Sequence, residues 1–486
     1  MNRVWPDAII RSGDCLFKSR KYQEALTFYD SAIKMKKGGY VYAMYQKGII
    51  EGLMGEPYEK ILTLRDVKTQ YPDSEYADDA LMQLGDTYFE LDNTDNAYVS
   101  FTELVTKYKN SPLKNTAYLK LGLIAYNKGD MNAAISHYKA VFQNNPTSKD
   151  ADSALLGLQE IYINDLGKSE EYVAYVNSIP GYKFTDSAAD SLAFLVGALK
   201  YNEGEYEKAI SGFNNYLTKY PGGANRVQAY YYRAESYSLL KKYEQALEDY
   251  EKLITLGTSE FYTQVVKKAA LISYNYTQTF DKAYHFYDLY YNGSTDEDEK
   301  YKAALGALRS AFRMANAGGV KKYSPLVSNS KKADNEEKVA SLYYLGKTYY
   351  KENDLENAKT TFQKIGDQSD NNQAAEARYL IAEIWYKQTN SVKAEEQCNL
   401  ANDKNASYPF WIAKTLILMS DIYVGRKDLF NARAALEAVI ENFHDDKELQ
   451  ETATAKLNVV AEMEKLNNRI KAPNNNLMEF QSNGGN

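Results

Sequence analysis

The sequence predicts an all-α chain: a solenoid of helical hairpins forming a right-handed superhelix, about twelve repeats plus a C-terminal capping helix. Three observations carry that prediction. Apolar residues recur at helical spacing, small residues recur twelve positions apart in adjoining helices, and the whole arrangement returns about every 37 residues along the 486.

The clearest copy runs from Tyr71 to Lys109, YPDSEYADDALMQLGDTYFELDNTDNAYVSFTELVTKYK. Pro72 cannot continue the preceding helix, and Asp73 or Ser74 is the expected cap of the next. From Ala77, the residues Leu81, Leu84, Gly85, Tyr88 and Phe89 follow a helical period until Asp92-Asn93 breaks it. A second helix then places Ala97, Phe101 and Leu104 on one face. Gly85 and Ala97 are the short side chains that let the two helices approach, with aromatics filling the space beside them. A mid-helix glycine costs about 1 kcal/mol relative to alanine, which calls for a packing reason.

The arrangement recurs along the chain. Gly13, Ala25 and Tyr29 open it, and Gly48 to Pro72 is a variant with Lys60 in place of the alanine. Gly122, Ala134 and Tyr138 follow, then Gly197, Ala209 and Phe213, then Ala234, Ala246 and Tyr250. Leu271 takes the small position ahead of Ala283 and Tyr287. The later copies carry Gly346, Ala358 and Phe362, then Ala382, Ala394 and Cys398, then Ser420, Ala432 and Leu436. Immediate neighbours lie 36 to 38 residues apart, and the gaps from 25 to 97, 134 to 209 and 283 to 358 each hide one degenerate copy. Nine clear hairpins and three weak ones make twelve. The resulting division is 1–162 as N-terminal repeats, 163–186 as an irregular repeat broken at Pro180-Gly181, and 187–315 as central repeats. It continues with 316–335 as an irregular loop or degenerate helix, 336–446 as C-terminal repeats, 447–471 as a capping helix and 472–486 as an asparagine-rich disordered tail. The cap is expected to turn Leu449, Ala453, Leu457, Val460 and Leu466 onto the last hairpin. The tail's Leu477, Met478 and Phe480 offer a short docking peptide as the alternative.

Glycine and tyrosine in the first helix, with alanine, an aromatic and a closing proline in the second, resemble the tetratricopeptide (TPR) repeat. More narrowly, YPDSEYADDALMQLGDTYF is similar to repeats of the bacterial envelope families that include the Tol-Pal-associated coordinator protein and the BamD outer-membrane lipoprotein. The resemblance spans about residues 5 to 445. It implies a periplasmic or outer-membrane-associated scaffold that binds protein or peptide segments, with a cytoplasmic adaptor as the alternative. The length departs from those families, which usually carry only a few repeats. The opening Met1 to Lys18 shows neither a secretory leader nor a lipidated cysteine, which leads us to expect a chain lacking its natural N-terminus.

Composition narrows the function. With 65 acidic and 58 basic residues the formal charge is -7, against the concentrated positive surface that nucleic acid requires. No run approaches the ~18 apolar residues of a membrane span. Cys15 and Cys398 are too far apart for a scaffold of disulfides or a thiolate metal site. His137, His285 and His444 fall on or beside different second helices, without HExxH spacing. Asp296 to Glu299 reads as a solvated helix start rather than a calcium loop, and Lys321, Lys322, Lys331 and Lys332 as a basic loop. The glycine pairs lack a phosphate-loop context. We therefore expect no catalytic residues, no metal and no cofactor.

What is left is surface. Tyrosine is the outlier, 45 residues against three histidines and three tryptophans. Four positions after the small residue of the first helix stand Phe89, Tyr126, Tyr201, Tyr350 and Tyr386; three before it stand Tyr231, Tyr343 and Tyr379. Asp86, Glu235, Lys347, Glu383 and Asp421 follow it directly. These residues, with Phe89, Tyr126, Tyr201, Tyr231, Glu235, Tyr343, Lys347, Tyr350, Tyr379, Glu383 and Tyr386 foremost, are expected to line a concave partner-binding groove. The competing reading packs the tyrosines between successive hairpins. A regulatory arm of a larger enzyme, or a weak peptidoglycan site, would be the other uses of such a chain.

Overall fold

The computed structural model describes residues 4–257, 259–366 and 369–471. The proposed tail, 472–486, lies outside the described residues. The chain divides into two compact units, Met1–Ser236 and Tyr237–Asn486. Among the described residues there are α-helices and one π-helical turn, and no strand.

Unit 1 contains α1 (Val4–Lys18), α2 (Tyr22–Met35), α3 (Tyr40–Leu53), α4 (Pro57–Gln70), α5 (Ala77–Glu90), α6 (Thr94–Lys107), α7 (Lys114–Asn127) and α8 (Met131–Phe142). It continues through α9 (Ser148–Gln159), prolonged by the π turn Glu160–Asp165, then α10 (Ser169–Ser178), α11 (Asp186–Asn202) and α12 (Tyr206–Lys219). It ends within α13 (Arg226–Leu239). Unit 2 contains α14 (Tyr243–Leu256), α15 (Tyr262–Asn275), α16 (Phe280–Gly293), α17 (Glu297–Arg313), α18 (Ala317–Ser328) and α19 (Asn335–Lys351). There follow α20 (Leu355–Gly366), α21 (Asn372–Lys387), α22 (Ser391–Lys404), α23 (Pro409–Gly425), α24 (Leu429–Asn442) and α25 (Lys447–Lys471). Twenty-four of these fall into twelve successive pairs, and α25 follows the last. The chain is a solenoid of helical hairpins.

Each hairpin turns on one left-handed residue, placed two positions before its second helix. These are Arg20, Gly55, Asp92, Gly129, Gly167, Gly204, Lys241, Gln278, Ala315, Asn353, Thr389 and Lys427, all with positive φ. The side chain of the residue ahead of the second helix then often caps it: Asn93, Asp130, Asn390 and Asp428 each accept a backbone N–H three residues on.

Within a hairpin, the first-helix glycine makes room for a ring sixteen residues later. A Cβ on Gly122 would lie 2.5 Å from the ring of Tyr138, on Gly197 2.6 Å from Phe213, and on Gly346 2.5 Å from Phe362. The alanines Ala97, Ala134, Ala209, Ala358 and Ala394 are fully buried beside these contacts.

Several expectations need correction. Helix α5 starts at Ala77 after Tyr76, with no side-chain cap; Ser74 Oγ accepts from Tyr76 N at 3.0 Å and shapes the turn ahead of the helix instead. Of the two readings of 316–335, loop or degenerate helix, the helix is the one present: α18, with Pro325 within it. Lys321 and Lys322 are accordingly helical, and they pair with Glu352 at 2.6 Å and Asp288 at 2.5 Å. Leu449, Ala453 and Val460 of α25 are buried, but Leu466 is 55% exposed. Six residues beyond Val460 amount to about 600° of helical rotation, which carries Leu466 to another face.

Candidate partner-binding face

The helices that open successive hairpins touch one another directly, skipping the intervening second helix. In unit 1 this brings α1 to α3 and α7 to α9; in unit 2 it joins α15 to α17, α19 to α21, α21 to α23 and α23 to α25. Where they touch, side chains of neighbouring first helices lie side by side, and Tyr126, Tyr343, Tyr350, Tyr379 and Tyr386 stand on helices of these pairs.

In unit 2 the structure gathers five of the expected residues into two neighbouring networks across α19 and α21, one on Glu376 and one on Glu383. Tyr343 Oη donates to Glu376 Oε2 at 2.7 Å, and Lys347 Nζ to Glu376 Oε1 at 2.5 Å. Tyr350 donates to Glu383, which also accepts from Tyr379 Oη at 3.3 Å. Lys387 donates to Tyr350, lies 4.3 Å over its ring, and stands 3.9 Å from Glu383. Burial and the glutamates together push the hydroxyls of Tyr343, Tyr350 and Tyr379 well above the ordinary phenol range. Tyr386 is half-buried against the cluster around Ala382 and Cys398 instead.

In unit 1, Tyr201 of α11 and the pair Tyr231 and Glu235 of α13 are brought together. Glu235 is among the causes that raise both phenols, after burial, and Tyr231 reaches about 12. Tyr231 and Glu235 are buried, at 8% and 9% exposure. The Tyr201 ring centroid is 4.9 Å from that of Tyr232. Phe89 and Tyr126 belong to separate places. Lys120 lies 6.0 Å above the Phe89 ring, while burial and Asp165 raise the Tyr126 hydroxyl.

Two participants escape the sequence reading: Glu376 and Lys387. A signal for the first exists. Tyr343 to Glu376 and Tyr350 to Glu383 are both 33 residues, one helical turn short of the usual repeat interval. A side chain on one first helix therefore meets the next first helix one turn nearer its N-terminus.

The remaining candidates for chemistry are placed as follows. His137 Nε2 is 2.9 Å from Tyr98 Oη, and burial lowers its pKa. Cys398 is fully buried, with its thiol pushed up to about 12 by burial. Asp296 caps α17 by accepting from Glu299 N at 2.9 Å. Among the described residues no three His, Cys, Asp or Glu side chains converge as metal ligands, and no helix is long and apolar enough to cross a membrane.

The tetratricopeptide repeat family model matches residues 79–111, 116–148, 228–256 and 340–372. The chain carries tetratricopeptide repeats. The matched segments include α5–α6 and α7–α8, the hairpins with the Gly85–Phe101 and Gly122–Tyr138 contacts. No curated protein matches the sequence. Among solved structures, the Naa15/Naa10 complex bound to HypK-THB is 14% identical, with 95% of this chain and 80% of that one covered at a TM-score of 0.39. Yeast Tom70 is 12% identical over 96% of this chain and 99% of its own, with a TM-score of 0.32. The C-terminal part of a TPR repeat-containing protein from Cytophaga hutchinsonii is 16% identical over 53% of this chain and 98% of its own, with a TM-score of 0.35.

Proposed function

We propose that this TPR chain is a non-catalytic protein-interaction scaffold of the bacterial cell envelope, periplasmic or attached at the outer membrane. Partner segments lie along the first-helix face of each unit. The observation that carries the reading is the direct contact between first helices, which sets tyrosines and charged groups of successive hairpins side by side. Half-buried rings held by hydroxyl–carboxylate bonds make a pre-ordered surface, so little side-chain entropy is lost when a partner docks. The envelope assignment is supported by the likeness of the Tyr71–Phe89 segment to the coordinator and BamD-type repeats.

In-cell crosslinking, followed by affinity purification from separated envelope and soluble fractions, tests both parts. A stoichiometric partner in the envelope fraction is expected, lost on Tyr201→Ala with Tyr350→Ala while helicity is retained. Recovery only from the soluble fraction sinks the envelope assignment. A partner that survives both substitutions sinks the first-helix face.

A further inference from the structure

Unit 2 has a cavity of about 640 Å³ where α17 ends, α18 begins and α19 passes beside them. Phe312, Ala315, Ala317 and Val320 line it from α17, the turn and α18, and Tyr350 joins them from α19. Phe312 stands four residues after Leu308, as Tyr350 does after Gly346, so the cavity lies between two members of one aromatic row. Both rings are held in place. Phe312 stacks on Tyr344 with centroids 4.1 Å apart and planes 21° apart, and Tyr350 donates to Glu383 while accepting from Lys387. The Thr348 hydroxyl, also in the lining, is committed to Tyr344 O at 2.8 Å. An apolar group that displaces water here therefore leaves neither hydroxyl without a partner.

The charged part of the lining is unequal, with Lys347 and Lys351 against Glu352. Glu352 is held by Lys321 at 2.6 Å, and Lys347 by Glu376 at 2.5 Å. With those partners counted, three lysines stand against two glutamates. The one left over is Lys351, which is exposed and has no ion-pair partner among the described residues. Helix α18, whose Ala317 and Val320 line the cavity, carries no acidic residue in its first turn, so the positive end of its dipole has the same sign. The surplus charge beside this apolar lining is positive.

We propose that this cavity seats an aliphatic or aromatic side chain of a protein partner, within a segment whose neighbouring residues are acidic. The apolar group packs between Phe312 and Tyr350, and a carboxylate beside it pairs with Lys351. A basic segment would bring like charge to Lys351, and a polar side chain would give up its water to an apolar wall. The inference rests on the first-helix reading above and adds the partner's chemistry to it.

Labelled peptides of equal length, repeating Glu-Glu-Leu, Glu-Glu-Ser or Lys-Lys-Leu, are titrated against the full chain by fluorescence anisotropy. The Glu-Glu-Leu peptide is expected to bind about tenfold or more tighter than either of the others. Ala317→Phe, which fills the cavity without changing charge, should weaken its binding about tenfold or more. Lys351→Glu should weaken it as well, whereas Lys364→Glu, the same charge reversal at an exposed position of α20, should leave it within about twofold. Circular dichroism confirms the fold of each variant. Equal binding of the Glu-Glu-Ser peptide overturns the apolar seat, and equal weakening by the two charge reversals overturns the role of Lys351. Unchanged binding in Ala317→Phe overturns the cavity. Tighter binding by a peptide of residues 473–482, in which Glu479 lies among Leu477, Met478 and Phe480, would make this chain's own tail the occupant and overturn the partner. If native partners crosslink to first helices and the Glu-Glu-Leu peptide does not bind, this inference fails and the scaffold reading stands.

Discussion

Tyr138 lies between two glycines. Its ring would meet a Cβ at 2.5 Å on Gly122, within its own hairpin, and at 2.6 Å on Gly157 of the next. Because neither side can give, Gly122→Ala should destabilise the protein by about 1–3 kcal/mol, read as a lower denaturation midpoint at unchanged slope. The same close fit explains much of the tyrosine excess. A phenol fills the gap between helices as phenylalanine does, and its hydroxyl can also reach a neighbouring carboxylate. Tyr29 on Asp14, Tyr216 on Asp190, Tyr323 on Asp288 and Tyr423 on Glu395 all do so. His137 supplies a pH test. Burial lowers its pKa against a small opposing effect of Asp130, so the unfolded chain binds the proton first. The neutral ring, against Tyr98 and Tyr118, therefore contributes stability above about pH 6.5 that is lost as the pH falls through the depressed folded value. Comparing denaturation midpoints between about pH 7 and 5, His137→Gln should show a smaller loss than the parent.

The hairpin turn is the most regular element of the chain. Its left-handed position is a glycine in four hairpins and a residue with a Cβ in eight, Thr389 among them with φ 59°. A β-branched residue is poorly suited to that conformation, which asparagine tolerates. Thr389→Asn should stabilise the protein by about 1 kcal/mol, measured by chemical denaturation; unchanged stability would mean the strain is relieved elsewhere. The turn also shows why some hairpins were legible in the sequence and others faint. Gly85–Ala97–Phe101 announces its hairpin by side-chain size. In the faint copies at α9–α10 and α17–α18, Glu160 and Leu308 stand where the small residue belongs, so only the interval reveals them. Their turns at Gly167 and Ala315 keep the register, but a left-handed backbone occupied by Ala here, or by Arg, Lys or Gln in other hairpins, leaves no compositional mark. The candidate face divides in the same way. The tyrosine rows follow from spacing along one helix, whereas Glu376 and Lys387 enter through contact between helices a repeat apart.

Across each unit, the packing runs from a hairpin to its neighbours. The cluster around Leu81, Phe101 and Leu121 belongs to α5, α6 and α7, and that around Phe362 to α19, α20 and α21. Stability in such an array is a sum over repeats and adjoining interfaces. Gly346→Ala should therefore raise amide exchange in α19–α21 while α5 and α6 keep their protection, as read by peptide-resolved hydrogen exchange. Loss of protection throughout would show long-range cooperativity instead. The evenly spaced turns have a mechanical consequence. Between Gly204 and Ala315 they recur every 37 residues, so the chain between successive turns is a constant length. Stretched, such a length reaches about 130 Å. Tension applied along the stack would open hairpins singly, and a force trace would climb in near-equal steps like the teeth of a ratchet. Under load, each unit would pay out chain in measured increments, taking up strain that would snap a single-core domain in one event.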